Sequence, residues 1–215
     1  MKKLSEELIF PDYAATNSYG IIAYGGDLSV ERLKLAYSKG IFPWFNENEP
    51  ILWWFPNPRF VLFPDELKIS KSMRKILRNE EFQFTENNCF EEVIYNCGQI
   101  NRPGQKGSWI TNEMREAYIR LHKSGIAKSV EVWQNEELVG GFYGIETNGI
   151  FCGESMFAKV SNASKSGFIY FVQKYAEKYA IIDCQVYTEH LESLGAREIS
   201  SDEFLKLLNK KSNSI

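Results

Sequence analysis

The sequence predicts an α+β protein, with a small, turn-rich N-terminal domain followed by a larger one built on a mixed central sheet flanked by helices. Three observations carry this. The N-terminal stretch up to about residue 60 is crowded with aromatics, Gly and Pro, as in Phe10-Pro11-Asp12-Tyr13, Tyr24-Gly25-Gly26-Asp27 and Gly40-Ile41-Phe42-Pro43-Trp44-Phe45. From Phe60 onward, helix-period and strand-period segments succeed one another regularly. Three closely spaced strands, turned by Asn135-Glu136 and Asn148-Gly149, then make an antiparallel meander between helical stretches.

In chain order, the first clear helix starts from an N-cap at Ser29, runs through Glu31 to Lys39 and stops at Gly40. Strand Phe60–Phe63 opens the second region, followed by a helix capped by Ser70, strand Phe82–Thr85 and a helix capped by Asn88. Thr111 caps a helix that ends near Gly125. The meander follows as Ser129–Trp133, Leu138–Glu146 and Ile150–Phe157; the Asn-Gly turn is the strongest short hairpin signal a sequence carries. An amphipathic helix over Ala163–Lys178, strand Ala180–Gln185, a short helix ending at Gly195 and a last helix from Ser201 complete the reading.

A chain of 215 residues with 44% hydrophobic and 14% aromatic side chains can bury a sizeable core. No stretch approaches the roughly 20 apolar residues of a membrane span, and the start Met1-Lys2-Lys3-Leu4-Ser5-Glu6-Glu7 turns acidic where a signal peptide turns apolar. A cytoplasmic protein is expected. Cys89, Cys97, Cys152 and Cys184 form no C-x-x-C pair, and His122 and His190 lie far apart, so no metal site is expected; no cofactor is expected either. The formal net charge of −3 argues against general nucleic-acid affinity and leaves room only for a local contact.

Such a contact is suggested by Lys71, Arg74, Lys75 and Arg78. They fall at i, i+3, i+4 and i+7 on one helical face, with Met73, Ile76 and Leu77 turned the other way. A stripe of this kind is either a solvated face or a phosphate contact. Chemistry is suggested by two strings, Phe151-Cys152-Gly153-Glu154-Ser155-Met156-Phe157 and Ile182-Asp183-Cys184-Gln185, which set acidic and amide groups inside buried-strand sequence. An unpartnered buried carboxylate costs several kcal/mol. Glu154, Asp183 and Gln185 are thus candidate catalytic residues, against the alternative that the last two only cap a neighbouring helix. Strand alternation puts Asp183 and Gln185 on one side and Cys184 on the other, in the core. Trp44, Trp53, Trp54 and Trp109 stand in loop-like settings, and Trp44 is a candidate for lining an apolar pocket or packing between domains. His190 has no Ser or Cys at a catalytic spacing and reads as structural.

These strings, together with Gly25-Gly26-Asp27-Leu28, Trp109-Ile110-Thr111, Leu138-Val139-Gly140-Gly141, Asn162-Ala163-Ser164-Lys165 and Ser193-Leu194-Gly195-Ala196, resemble the leucyl/phenylalanyl-tRNA–protein transferases nearly end to end. The resemblance implies an acetyltransferase-type domain over 61–215 behind a small domain over 1–60. It implies transfer of Leu, Phe or Met from aminoacyl-tRNA to proteins beginning with Lys or Arg, within the N-degron route, by a monomer. By position, Glu154, Asp183 and Gln185 match the catalytic group, and Trp44, Trp109, Phe142, Phe151, Phe168, Phe171 and Ile182 the surroundings of the donor side chain and terminal adenosine. Arg78 matches a tRNA-contacting cation, whereas the next position, often basic in relatives, is Asn79.

The chemistry fits the residues. An aminoacyl ester is already activated, so an α-amine needs only a proton acceptor, alignment and donors for the developing oxyanion. Gln185, oriented by Asp183, would hold the amine while Glu154 positions the donor and helps move the proton. An acetyl-CoA N-acetyltransferase would need glycines after the strand ending at Phe157, and Ala158-Lys159-Val160-Ser161-Asn162-Ala163-Ser164 has none. A non-catalytic tRNA-binding module would have no use for Glu154, Asp183 and Gln185. Phe151 and Glu154, three apart, would face opposite sides of a regular strand; a bulge at Gly153 would bring both toward the donor.

Overall fold

A computed structural model describes residues 1–100 and 109–210 as a mixed α+β protein with two sheets. The first sheet contains β1 (Lys2–Leu4), β2 (Ile21–Gly25), β3 (Phe42–Pro43) and β4 (Leu52–Trp54) in the order β1-β2-β4-β3. Helix α1 (Val30–Ser38) links β2 to β3 and is capped as expected, Ser29 accepting from the Arg32 amide. Gly40, at φ +70°, ends it where a Cβ would collide with the Phe204 ring. Inside this region the buried Arg32 donates to Asp27 and to the carbonyls of Ser5, Glu6 and Glu7, which ties the N-terminal segment to α1.

The second sheet forms from β5 (Arg59–Leu62), β6 (Gln83–Glu86), β7 (Ala127–Gln134), β8 (Glu137–Thr147), β9 (Ile150–Ala158), β10 (Ile182–Gln185) and β11 (Arg197–Ile199). Their order is β11-β5-β10-β9-β8-β7-β6, and only β9 and β10 pair in parallel. The helices are α2 (Lys71–Arg78), α3 (Phe90–Gln99), α4 (Asn112–Lys123), α5 (Ala163–Lys174), α6 (Glu189–Glu192) and α7 (Ser201–Asn209). Both expected hairpins are present: Asn135 and Glu136, then Asn148 and Gly149, all have positive φ, the geometry whose twist matches that of paired strands.

Several expectations shift. Helix α3 starts from Cys89, not Asn88, because the Asn88 amide is directed to the buried Glu131 carboxylate at 3.4 Å. Helix α5 stops at Lys174, four residues early, as Tyr175 leaves helical geometry and its hydroxyl reaches Glu86 at 2.6 Å. Trp53 belongs wholly to the core, its indole N–H satisfied by the Gly25 carbonyl at 2.8 Å.

One apolar cluster crosses both sheets, joining Leu33, Tyr37 and Trp53 to Tyr118, Tyr143 and Phe204. A second, aromatic cluster containing Phe60, Phe142, Phe151, Phe168 and Phe171 fills the space under α5. The site lies between these two bodies of core.

Candidate active site

Strands β9 and β10 pair at only two positions, Phe151 with Ile182 and Cys152 with Asp183. Beyond them both strands lose register with their outer neighbours. On β9, Tyr143 faces Ser155 and Gly144 faces Gly153, so Glu154 is the extra residue of a bulge beside Gly153. On β10, Asp183 faces Val61 and Gln185 faces Phe60, so Cys184 is extra. Gly144 permits the first bulge, since a Cβ there would strike the Phe151 ring and the Cys152 carbonyl. Where the strands part, a cavity of about 420 Å³ opens, with Glu154 and Gln185 in its wall.

The polar groups form a connected chain. The Gln185 side-chain amide donates from Nε2 to Glu154 Oε1 at 2.7 Å, and the Tyr118 hydroxyl donates to Glu154 Oε2 at 3.0 Å. Tyr118 in turn shares a short hydrogen bond with the Tyr37 hydroxyl. Burial pushes the Glu154 carboxyl up to about 7, hydrogen bonds from Tyr37, Tyr118 and Gln185 work against the rise, and the nearby Asp183 charge adds to it. Burial also lifts both tyrosines well above their ordinary range, so each keeps its proton and remains a donor.

Gln185 has φ +65°, a left-handed conformation that costs a non-glycine residue on the order of 1–3 kcal/mol. Asp183 compensates: its Oδ1 accepts the Gln185 backbone N–H at 3.0 Å. Asp183 is itself fully buried and gripped by Arg59 through Nε at 2.8 Å and Nη2 at 2.6 Å.

The candidate residues sort into layers. Trp44, Trp109, Phe142, Phe168, Ile182, Glu154 and Gln185 line the cavity. Phe151 and Phe171 do not. They form a second layer, their ring centroids 6.2 and 5.4 Å from that of Phe142, because the β9 bulge turns Glu154 inward and leaves Phe151 in the core. Asp183 also stands behind the cavity, and the β10 bulge undoes the expected alternation, so that Cys184 and Gln185 both face it. Burial raises the Cys184 thiol far above neutral pH, which removes it as a nucleophile. His190, read as structural, lines the cavity too. Its Nε2 has no hydrogen-bond partner among the described residues, so it activates no serine there, and burial and Lys165 lower its basicity. Tyr37, Tyr118 and Arg59 were missed as site residues: two lie on ordinary amphipathic helices, and nothing local signals their long-range partners.

Lys71, Arg74, Lys75 and Arg78 are exposed along α2, away from the cavity wall, while Met73 is buried. Among the described residues none of the four is ion-paired. The described residues hold no group of three or more His, Cys, Asp or Glu arranged for a metal, and no helix long and apolar enough to cross a membrane.

A carboxylate and an amide, held by neutral donors in an apolar cleft, suit a group-transfer enzyme whose acyl donor carries an apolar side chain. Residues 61–209 match the leucyl/phenylalanyl-tRNA protein transferase family and residues 26–57 its N-terminal domain. A leucyl/phenylalanyl-tRNA–protein transferase of Flavobacterium johnsoniae is 61% identical over 98% of this chain and 100% of its own length. One from Christiangramia forsetii is 57% identical over 93% and 95%, and one from Syntrophus aciditrophicus 51% over 96% and 87%. The chain belongs to this family and is an aminoacyltransferase. Among solved structures, L-PGS of Bacillus licheniformis is 15% identical, with a TM-score of 0.41 over 80% of this chain and 57% of that one. A GCN5-related N-acetyltransferase of Kribbella flavida is 6% identical, with a TM-score of 0.38 over 67% and 55%. At these scores the likeness bears on neither substrate nor mechanism.

Proposed function

We propose that the enzyme moves leucine, phenylalanine or methionine from aminoacyl-tRNA to the α-amine of proteins that begin with Lys or Arg, marking them in the cytoplasm for the N-degron route. The observation that carries the chemistry is the 2.7 Å pairing of Gln185 with Glu154 at the mouth of the strand splay. An α-amine titrates at about 7.7–8.0, close to the value of about 7 to which Glu154 is raised. Proton transfer between them is therefore nearly balanced, the condition under which a general base works best at neutral pH.

In this reading Gln185, whose amide nitrogen is engaged by Glu154, offers its carbonyl oxygen to the incoming amine. The amine nitrogen attacks the ester carbonyl and passes a proton to Glu154. The carbon–nitrogen bond forms, the bond to the terminal ribose oxygen breaks, and that oxygen takes the proton as it leaves. Asp183 touches no reacting atom and acts on the Gln185 backbone. Phe142, Phe168 and Ile182 receive the donor side chain, selecting by fit at roughly 1–3 kcal/mol per methylene, with Phe151 and Phe171 as backing. Trp44 and Trp109 offer flat faces to the terminal adenosine. The exposed stripe on α2 meets phosphates of the tRNA body.

The acceptor preference is tested with peptides that differ only in their first residue, incubated with tRNA carrying labelled phenylalanine. Label should enter peptides starting with Lys or Arg. Equal labelling of peptides starting with Ala or Glu would refute that part of the reading.

A further inference from the structure

We infer that Arg59 is a positioning residue for the transfer reaction, holding Gln185 in its left-handed, cavity-facing conformation through Asp183. The inference rests on the reading that Gln185 holds the attacking amine. Arg59 opens β5, the strand next to β10, and its guanidinium meets both carboxylate oxygens of Asp183 in a two-pronged contact. Both side chains are excluded from solvent, at 1% and 0% exposure. One of those oxygens, Oδ1, also receives the Gln185 backbone N–H, so the direction of the carboxylate fixes the direction of the Gln185 backbone.

The guanidinium also lies near two aromatic rings. It packs 4.9 Å from the ring centroid of Phe42 on β3 and 4.5 Å from that of Phe204 on α7. Phe42 also lines the cavity. Arg59 thus joins the first sheet, the last helix and the β10 bulge at one point behind the reacting groups. A planar guanidinium fork can meet both carboxylate oxygens at once, whereas a lysine ammonium provides one point contact.

The test is a double-mutant cycle between Arg59→Lys and Gln185→Ala, with kcat and KM for charged tRNA measured alongside thermal unfolding. If Arg59 acts through Gln185, Arg59→Lys lowers kcat by about tenfold or more with KM altered less than about twofold, and the double variant is no slower than Gln185→Ala alone. Should Arg59→Lys lose its fold, the neutral pair Arg59→Gln with Asp183→Asn carries the same comparison. Wild-type kcat in the Arg59 variant, or a loss that multiplies that of Gln185→Ala, overturns the inference. A Gln185→Ala enzyme with full kcat instead overturns the reading of Gln185 itself, which keeps the two failures apart.

Discussion

Glu154 is the residue whose environment most constrains the chemistry. Its carboxyl is raised to about 7, chiefly by burial, so the ionised form that accepts a proton gains population as pH rises through that value. Transfer at saturating donor should increase through about pH 7, and Glu154→Gln should lose that step, keeping only the rise from the acceptor amine at about 7.7–8.0, together with at least about tenfold in rate. The same shift has a sign for stability. The folded state binds the proton more tightly than the unfolded chain, so the cost of the buried charge is absent below the ordinary value of 4.5 and fully present above about 7. Glu154→Gln should match the native chain in thermal unfolding near the acid end and exceed it at pH 8; a variant less stable at pH 8 would contradict this. Tyr118→Phe removes a donor that favours the ionised carboxylate, so the rise in rate should move to higher pH. An unmoved profile would show that Tyr118 does not set the base.

At the scale of elements, the two bulges decide what faces the cavity, and truncations should divide accordingly. Phe168→Ala opens the cavity wall and should relax the preference among Leu, Phe and bulkier donors in competition between charged tRNAs. Phe171→Ala removes second-layer packing; it should cost stability of about 3–5 kcal/mol in denaturant unfolding while leaving the donor order intact. The reverse pattern would place the donor on the far side of Phe142. Helix α2 allows a separate measurement. If its four cations each neutralise a phosphate, the log–log salt slope of tRNA affinity should be roughly −3 to −4, and reversing Arg74 and Arg78 to Glu should flatten it for tRNAs of different anticodon. A stripe that only solvates the helix would leave the slope unchanged.

These elements also show what was legible beforehand. The long meander strands and their turns could be read because period-two patterning and residues tolerant of positive φ coincide at Asn135-Glu136 and Asn148-Gly149. Strands β1, β3 and β11, of two or three residues, are too short to show a period. Glu154 and Gln185 were legible because polar groups inside buried strands demand an explanation. The depth of Phe151 and Phe171 was not, because a bulge moves side chains between faces without changing the sequence pattern. Gly153 marked the place of one bulge, while nothing marked the other at Cys184.

For the whole molecule, one arrangement connects sequence to activity. A parallel strand pair separates after two residue pairs, both strands bulge, and the gap holds a carboxyl group and an amide against an apolar cavity. Each body of core contributes: α1 and α4 bring Tyr37 and Tyr118, β5 brings Arg59, and α5 brings Phe168. The most direct test of this account is single-turnover transfer of labelled phenylalanine from charged tRNA to a peptide beginning with Arg, compared between the native chain and Gln185→Ala at saturating enzyme. Label should pass into the peptide with the native chain and at least about tenfold more slowly with the variant, while both bind the charged tRNA equally well. Equal transfer rates, or label released only as free phenylalanine by the native chain, would contradict the account.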